Sequence, residues 1–167
     1  MNDARKESWI EAERSAREAA ARLGLEIVEF VFHSRGKHSQ LRIDVDRPGL
    51  PGAGLADCEA LSRALDGELD RLDPFGDAYE LQVSTPGIDR PIRTDDDLRR
   101  NTGRPVRVEY RDEGGRVREA YGTLAGARAD GTVRVAVSGG EIRVPRERIV
   151  LMKQDVPLGR GRSKRRS

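Results

Sequence analysis

The amino-acid sequence predicts an α+β protein with two domains. Its first half alternates helical and strand patterns, its second half holds short strands after one short helix, and a proline-containing segment separates the halves. A chain of 167 residues can form one or two domains with modest cores. We therefore expect an N-terminal α/β domain, a Pro-Gly joint, a C-terminal β domain and a disordered basic tail, at residues 1–85, 86–93, 94–156 and 157–167.

The first elements of the N-terminal domain are predicted as a helix and two strands. Residues 4–23 carry Ile10 and several alanines near helical spacing, and Gly24 is a typical helix stop. Residues 25–32 are apolar enough for a central strand. In residues 41–46, apolar and polar residues alternate strictly, so Asp44 and Asp46 are expected on the outer face, either as a solvated surface or as a chelating pair.

A second helix and a third strand complete this domain. The helix is predicted from apolar residues that recur every three or four positions, namely Leu55, Cys58, Leu61, Leu65, Leu69 and Leu72. Cys58 is therefore expected in the core. Residues 79–84 alternate again, with Tyr79, Leu81 and Val83 on one face. The order helix, strand, strand, helix, strand predicts helices on one face of a sheet.

The joint begins where this third strand must stop. Pro86 lacks a backbone donor, and Gly87 can supply a positive φ at the third position of a type II turn. Pro91 in turn restricts Arg90. We expect a stiff connection, formed by Thr85, Pro86, Gly87, Asp89, Arg90 and Pro91. Asp89 and Arg90 either brace this connection or face a partner.

The C-terminal domain is predicted as one short helix and five short strands. Thr94 and Asp97 form a capping box for a helix over residues 95–101. Five apolar strand patterns then follow, separated by glycine-containing turns, at Val106–Tyr110, Val117–Leu124, Val133–Val137, Ile142–Val144 and Ile149–Leu151. So many short strands favour a small barrel, and the pattern alone leaves an OB-type barrel open.

The sequence around the joint resembles a known family. Leu81 to Pro91 reads Leu-Gln-Val-Ser-Thr-Pro-Gly-Ile-Asp-Arg-Pro, and the 41–46 strand and the pair Asp57-Cys58 precede it in the order found in the ribosome maturation factor RimP family of bacteria. The resemblance covers about residues 10–152. The family usually has Glu, Ser, Leu and Leu where this chain has Gln82, Thr85, Ile88 and Ile92, which are modest changes of size and polarity. The basic tail is not part of it.

This resemblance implies both a fold and a function. For residues 94–156 it implies an SH3-like or Sm-like barrel. It further implies a factor that binds the free, immature small (30S) ribosomal subunit and aids late folding and processing of its rRNA. We expect this factor to be cytoplasmic, non-enzymatic and monomeric. The implied partners are small-subunit rRNA and the strongly basic small-subunit ribosomal protein twelve. No cofactor and no membrane is implied.

The charge distribution suggests two different partners. The net charge is +2, yet residues 1–85 carry 11 basic and 17 acidic side chains, residues 86–156 carry 15 and 12, and residues 157–167 carry five basic ones alone. A basic surface suits phosphate and an acidic one suits a basic protein, although both can simply maintain solubility. The candidate rRNA contacts are Arg35, Lys37, Arg107, Arg116, Arg118, Arg160, Arg162, Lys164, Arg165 and Arg166. An ordinary solvated turn around Arg35 and a solubilising tail are the alternatives.

Catalytic, metal and cofactor sites are not expected. One cysteine and two histidines cannot form a disulfide or the usual four-ligand zinc site, and Cys58 lies on the buried helical stripe. Residues 95–97, all aspartates, could bind Mg²⁺, but acidic residues also favour a helix N-terminus. Residues 34–37 lack the pattern of a phosphate-binding loop. Two rival functions remain, an Sm-like RNA-binding regulator and a metal-dependent nuclease.

Overall fold

The computed structural model describes residues 3–34, 39–76 and 78–155 of the chain. The chain divides into two compact units, with the boundary between Pro86 and Gly87. In the described residues, three α-helices and two β-sheets, of three and five strands, give the α+β class that the sequence predicts.

The first unit contains two helices and a three-stranded sheet. Its elements are α1 (Asp3–Arg22), β1 (Glu26–His33), β2 (Ser39–Asp46), α2 (Leu55–Leu72) and β3 (Tyr79–Ser84). The strand order is β1-β2-β3; β1 is antiparallel to β2, and β3 is parallel to it. A parallel pair needs a crossover, which α2 supplies. The predicted central position of β1 is therefore wrong, since β2 occupies the centre of the sheet.

Aromatic side chains explain why β1 is apolar although it lies at an edge. Phe30 packs against the Trp9 ring at a centroid distance of 5.1 Å, and Phe32 stacks on Phe75 at 3.9 Å. Phe75 also contacts Tyr79 at 4.7 Å. These five rings belong to the core of the first unit and its margin. Five of the seven aromatic residues in the chain thus have a packing role.

Alanines and leucines bring the two helices of this unit into one core. The buried side of α1 carries alanines, among them Ala12, Ala16 and Ala20, whereas Ile10 is 56% exposed, so its expected inward position is wrong. Small side chains let the helix approach its neighbours closely. Gly24 adopts φ +69° two residues after the last residue of α1, which confirms the predicted stop. The predicted stripe on α2 is buried at Cys58, Leu61, Leu65 and Leu69, whereas Leu55 at the start of the helix is 76% exposed, so its expected inward position is wrong.

The two aspartates of β2 are buried, in contrast to the solvated face that the sequence predicts. Asp44 is 2% exposed and Asp46 is 6% exposed. Asp44 accepts hydrogen bonds from the Arg42 guanidinium at 2.8 Å and from the Ser84 hydroxyl at 2.7 Å. Asp46 accepts the backbone N–H groups of Arg47 and Ala53. These donors replace water around both carboxylates, so this face of β2 is buried at Asp44 and Asp46, whereas Gln40 and Arg42 on the same face are half-buried.

The second unit contains a short helix and a five-stranded antiparallel sheet. Its elements are α3 (Asp95–Asn101), β4 (Pro105–Arg111), β5 (Val117–Ala127), β6 (Thr132–Val137), β7 (Gly140–Pro145), a 3₁₀ turn (Arg146–Arg148) and β8 (Ile149–Gln154). The strand order is β7-β6-β5-β4-β8. All five strands were predicted, but the predicted barrel is not closed in the described residues. Closure requires a ladder between the outermost strands, and β7 and β8 do not pair.

Candidate functional site

The residues after Pro86 form a turn, although not the one expected. The backbone N–H of Arg90 donates to the carbonyl oxygen of Gly87 at 2.9 Å, so Gly87 is the first residue of the turn. Gly87 does not adopt a positive φ, and the predicted type II turn with Gly87 at its third position is wrong. The turn is instead completed by Ile88 and Asp89, which are both exposed and have ordinary negative φ.

The end of this segment is anchored to β8. The Ile92 N–H donates to the Met152 carbonyl oxygen at 2.8 Å, and both side chains are buried in the core of the second unit. Lys153 on the same strand reaches the Asp89 carboxylate at 3.3 Å. That carboxylate is almost fully exposed, so this ion pair contributes little to stability. Burial of Ile92 is the stronger attachment.

Asp97 then fixes the start of α3. One of its carboxylate oxygens accepts the N–H groups of Arg93 and Thr94, and the other accepts the Arg100 guanidinium at 2.7 Å. The Asp97 N–H in turn donates to the Thr94 hydroxyl, which confirms the predicted capping box. Burial alone would raise the pKa of Asp97, but the backbone N–H groups, the Thr94 hydroxyl and the Arg100 guanidinium outweigh it and lower the pKa.

The arginines of the second unit that are predicted to contact rRNA, within the described residues, form ion pairs with carboxylates. Arg107 pairs with Glu109 and Glu119. Arg118 pairs with Asp112 at 2.9 Å, and Arg116 reaches the same carboxylate at 3.8 Å. The Arg118 hydrogen bond, followed by the Arg116 backbone N–H, lowers the pKa of Asp112. Phosphate would have to displace or share these carboxylates to bind the guanidinium groups.

The remaining predicted rRNA contacts lie outside the described residues. They are Arg35, Lys37, Arg160, Arg162, Lys164, Arg165 and Arg166. Their roles stay predictions.

Two exposed arginines outside the predicted rRNA contacts form no ion pair within the described part of the chain, although the charge of one of them, Arg128, acts on Asp130 and Glu141 nearby. They are Arg93, just before α3, and Arg128, at the end of β5. Arg128 borders a cavity of about 560 Å³ together with Arg99, Arg146 and the side chains of Asp95 and Asp96. Arg148, in the 3₁₀ turn, is likewise exposed and without an ion pair among the described residues. The sequence gives only a weak indication of which arginines lack an ion pair, because ion pairing between strands depends on which strands are neighbours in the sheet.

The described residues offer few side chains that could act as a nucleophile or bind a metal ion. Cys58 is buried, and burial, followed by the charges of Asp57 and Asp44, raises the pKa of its thiol. A protonated thiol is a poor nucleophile. Within residues 3–34, 39–76 and 78–155, histidines, cysteines and carboxylates do not gather in threes as a metal site requires. No helix among these residues has the length and apolar character to cross a membrane.

Comparison with known proteins identifies the family. The family model for the RimP N-terminal domain matches residues 15–89. A ribosome maturation factor RimP from Synechococcus elongatus is 36% identical over 138 residues, which cover 83% of this chain and 89% of the relative. A second ribosome maturation factor RimP, from another Synechococcus strain, gives the same identity and coverage. Because the similarity extends through both units, the chain belongs to the ribosome maturation factor RimP family.

Proposed function

We propose that this protein is a non-enzymatic, cytoplasmic assembly factor for the small (30S) ribosomal subunit. The observation that carries the proposal is the 36% identity, over 89% of their length, to relatives named ribosome maturation factor RimP. The factor binds the free, immature subunit, aids the late folding and processing of its rRNA, and leaves before translation.

The division of charge supports a division of labour between the units. Residues 1–85 carry an excess of six acidic side chains, whereas residues 86–156 carry an excess of three basic ones. The acidic unit suits a basic ribosomal protein, and small-subunit ribosomal protein twelve is the proposed partner. The basic unit and the basic tail suit rRNA phosphates. Two modest contacts joined in one chain bind an assembling particle more tightly than either does alone.

Contacts to rRNA are expected mainly at its backbone. Most aromatic rings of the chain pack within the first unit, so they are not available to stack on bases. In the second unit, Arg93, Arg128 and Arg148 need not give up an ion pair within the described residues. We expect these three to meet phosphate first. Arg107, Arg116 and Arg118 would contribute less, because phosphate would have to displace or share their carboxylates.

The nuclease alternative receives no support from the three consecutive aspartates. Both oxygens of Asp97 already accept protein donors, and Asp95 pairs with Arg146. Asp96 is paired with Arg99 at 3.3 Å. These contacts account for the acidic residues as cap and ion-pair groups.

Sedimentation tests the proposed function directly. The purified protein is mixed with separated 30S subunits, large subunits or intact ribosomes and run on sucrose gradients at moderate salt. We expect comigration with free 30S subunits alone. Equal association with every particle, abolished by a modest addition of salt, would reduce the protein to a general RNA binder such as an Sm-like regulator.

A further inference from the structure

The outer edge of β3 exposes backbone N–H and C=O groups that do not pair with another strand in the described residues. β3 pairs with β2 on one side only, and it is an edge strand of the sheet in the described residues. Within that part of the chain, neither the backbone nor a side chain hydrogen-bonds to the outward peptide groups of Tyr79–Ser84. Exposed edges of this kind accept an extended peptide as an additional strand.

A groove lies beside this edge, between β3 and the end of α2. It has a volume of about 530 Å³, and its walls include Leu69, Tyr79 and Leu81 together with three carboxylates. Tyr79 and Leu81 lie on the same face of β3, because side chains alternate along a strand. A strand added at the edge would therefore direct every second side chain towards this groove.

The three carboxylates determine which peptide fits. Asp66, Asp70 and Asp73 follow one another at helical spacing along the last turns of α2 and its C-cap, where the helix dipole is negative and disfavours acidic groups. In the described residues none of them forms an ion pair, whereas Glu68 nearby is paired with Arg71 at 2.9 Å. Unneutralised negative charge at this position favours a cationic ligand.

Tyr79 lines the same groove and lies close enough to the three carboxylates for their charges to act on its phenol. Burial raises the pKa of its phenol, and the negative charges of Asp70, Asp73 and Asp66 raise it further. The phenol remains protonated and can donate a hydrogen bond to a carboxylate or to a ligand.

We propose that β3 binds an extended basic peptide as a fourth strand of the sheet, with lysine or arginine side chains at alternate positions entering the groove and meeting Asp66, Asp70 and Asp73. Backbone hydrogen bonds to Tyr79–Ser84 supply affinity, and the carboxylates supply selectivity for basic side chains. The inference rests on the proposed function only in placing the natural peptide on a basic ribosomal protein.

Peptide binding to the intact protein tests the groove. An eight-residue peptide of alternating threonine and lysine is titrated at physiological salt, with a peptide of the same composition but four consecutive lysines as the comparison. The variant Asp66→Asn/Asp70→Asn/Asp73→Asn should weaken binding of the alternating peptide by at least about tenfold. The double variant Asp66→Asn/Asp70→Asn, which keeps the cap residue, should show the same direction if the triple variant unfolds.

A charge-matched control separates a local site from general attraction. Glu7→Gln/Glu59→Gln/Glu113→Gln removes three exposed carboxylates elsewhere and should change the affinity by less than about threefold. Amide hydrogen exchange in β3 should slow when the alternating peptide binds. Equal affinity for the two peptides, unchanged exchange in β3, or binding of an RNA octanucleotide at this groove would overturn the inference.

The gradient experiment distinguishes failure of this inference from failure of the proposed function. If the peptide does not bind while the protein still comigrates with 30S subunits, the groove proposal is wrong and the assembly role stands. If the protein does not comigrate with 30S subunits, the assembly role is wrong, and peptide binding to the groove is judged by the variants alone.

Discussion

Buried carboxylates set the local geometry of both units. Asp44 holds Arg42 and Ser84 on neighbouring strands of the first unit, and Asp97 holds the chain around the start of α3 in the second. The contact stabilises the charged form of Arg42, since its hydrogen bond to Asp44 and then the charge of Asp44 raise the pKa of the guanidinium. In each case, removing the carboxylate takes a charge-assisted hydrogen bond away from the arginine.

The variant Asp97→Asn tests this at the residue scale. Its side chain and that of Arg100 are both only 8% exposed, and breaking such a buried pair lowers the free energy of unfolding by about 3–5 kcal/mol. Urea unfolding at neutral pH measures the change. Asp96→Asn is the matched control, because it alters an exposed pair next to it and should cost no more than about 1 kcal/mol. Equal losses of stability in the two variants would contradict the assigned role.

The same carboxylate predicts a dependence on pH. The folded-state pKa of Asp97 is lowered, so its contribution to stability is fully present above the ordinary aspartate pKa of about 3.9 and disappears as the pH falls through the lowered value. The wild type should therefore lose stability in acid more steeply than Asp97→Asn. Urea midpoints from pH 7 to pH 2 measure this difference, and parallel curves for the two proteins would refute it.

At the scale of elements, glycines mark where the backbone is constrained. Gly122 lies on β5 where the strand approaches β6, and a Cβ built there would come within 2.1 Å of the Ala136 carbonyl oxygen. Gly67, in the middle of α2, would meet no atom within 4 Å. A glycine on a strand thus permits close packing of two strands, whereas the helical one has no such role.

Gly122→Ala should therefore destabilise the second unit by about 1–3 kcal/mol or more, because backbone atoms must move to admit a methyl group. Gly67→Ala should stabilise the first unit by about 0.5–1 kcal/mol through helix propensity. Thermal and urea unfolding of both variants provide the comparison. Stabilisation by Gly122→Ala would mean that β5 and β6 do not approach as closely as the structure shows.

The joint yields a prediction opposite to the one that its sequence suggests. Gly87 has no positive φ and open space around it, so Gly87→Ala should leave stability unchanged or raise it by about 0.4–1 kcal/mol. Gly103→Ala is the control. It also meets no atom within 4 Å, but its φ is +86°, so the same change should cost about 1 kcal/mol. If Gly87→Ala destabilised the protein as much as Gly103→Ala, the result would support the type II turn with a positive φ at Gly87 and contradict the observed turn.

At the scale of the whole molecule, local signals were predicted well and tertiary ones were not. The capping box at Thr94, the stop at Gly24 and the α2 stripe from Cys58 to Leu69 depend on neighbouring residues, and each is confirmed. The edge position of β1 and the burial of Asp44 depend on which strands pair, which periodicity does not specify. The open edges of the five-stranded sheet could not be predicted for the same reason.

The candidate site follows this division. Charge counted along the sequence separates an acidic first unit from a basic second one, because it needs no knowledge of contacts. Predicting which individual arginines contact rRNA does require knowledge of the contacts within the fold. Arg107 meets Glu119 only because β4 and β5 pair in the register that sets Glu109 opposite Glu119. Arg128 lies just past the end of β5 and forms no ion pair in the described residues, although its charge acts on Asp130 and Glu141 nearby.

Two triple variants test how this arrangement serves binding to the 30S subunit. Arg93→Gln/Arg128→Gln/Arg148→Gln should weaken association and reduce the slope of log K against log [salt] by about 0.7–0.9 for each phosphate that the variant no longer neutralises. Arg107→Gln/Arg116→Gln/Arg118→Gln removes the same charge but should weaken association less, since those guanidinium groups are already partly neutralised within the unit. The affinities of the two variants for the 30S subunit are compared on gradients at several salt concentrations. A larger decrease in affinity in the second variant would show that rRNA displaces the carboxylates of β4 and β5 and that intramolecular pairing does not select the contacts.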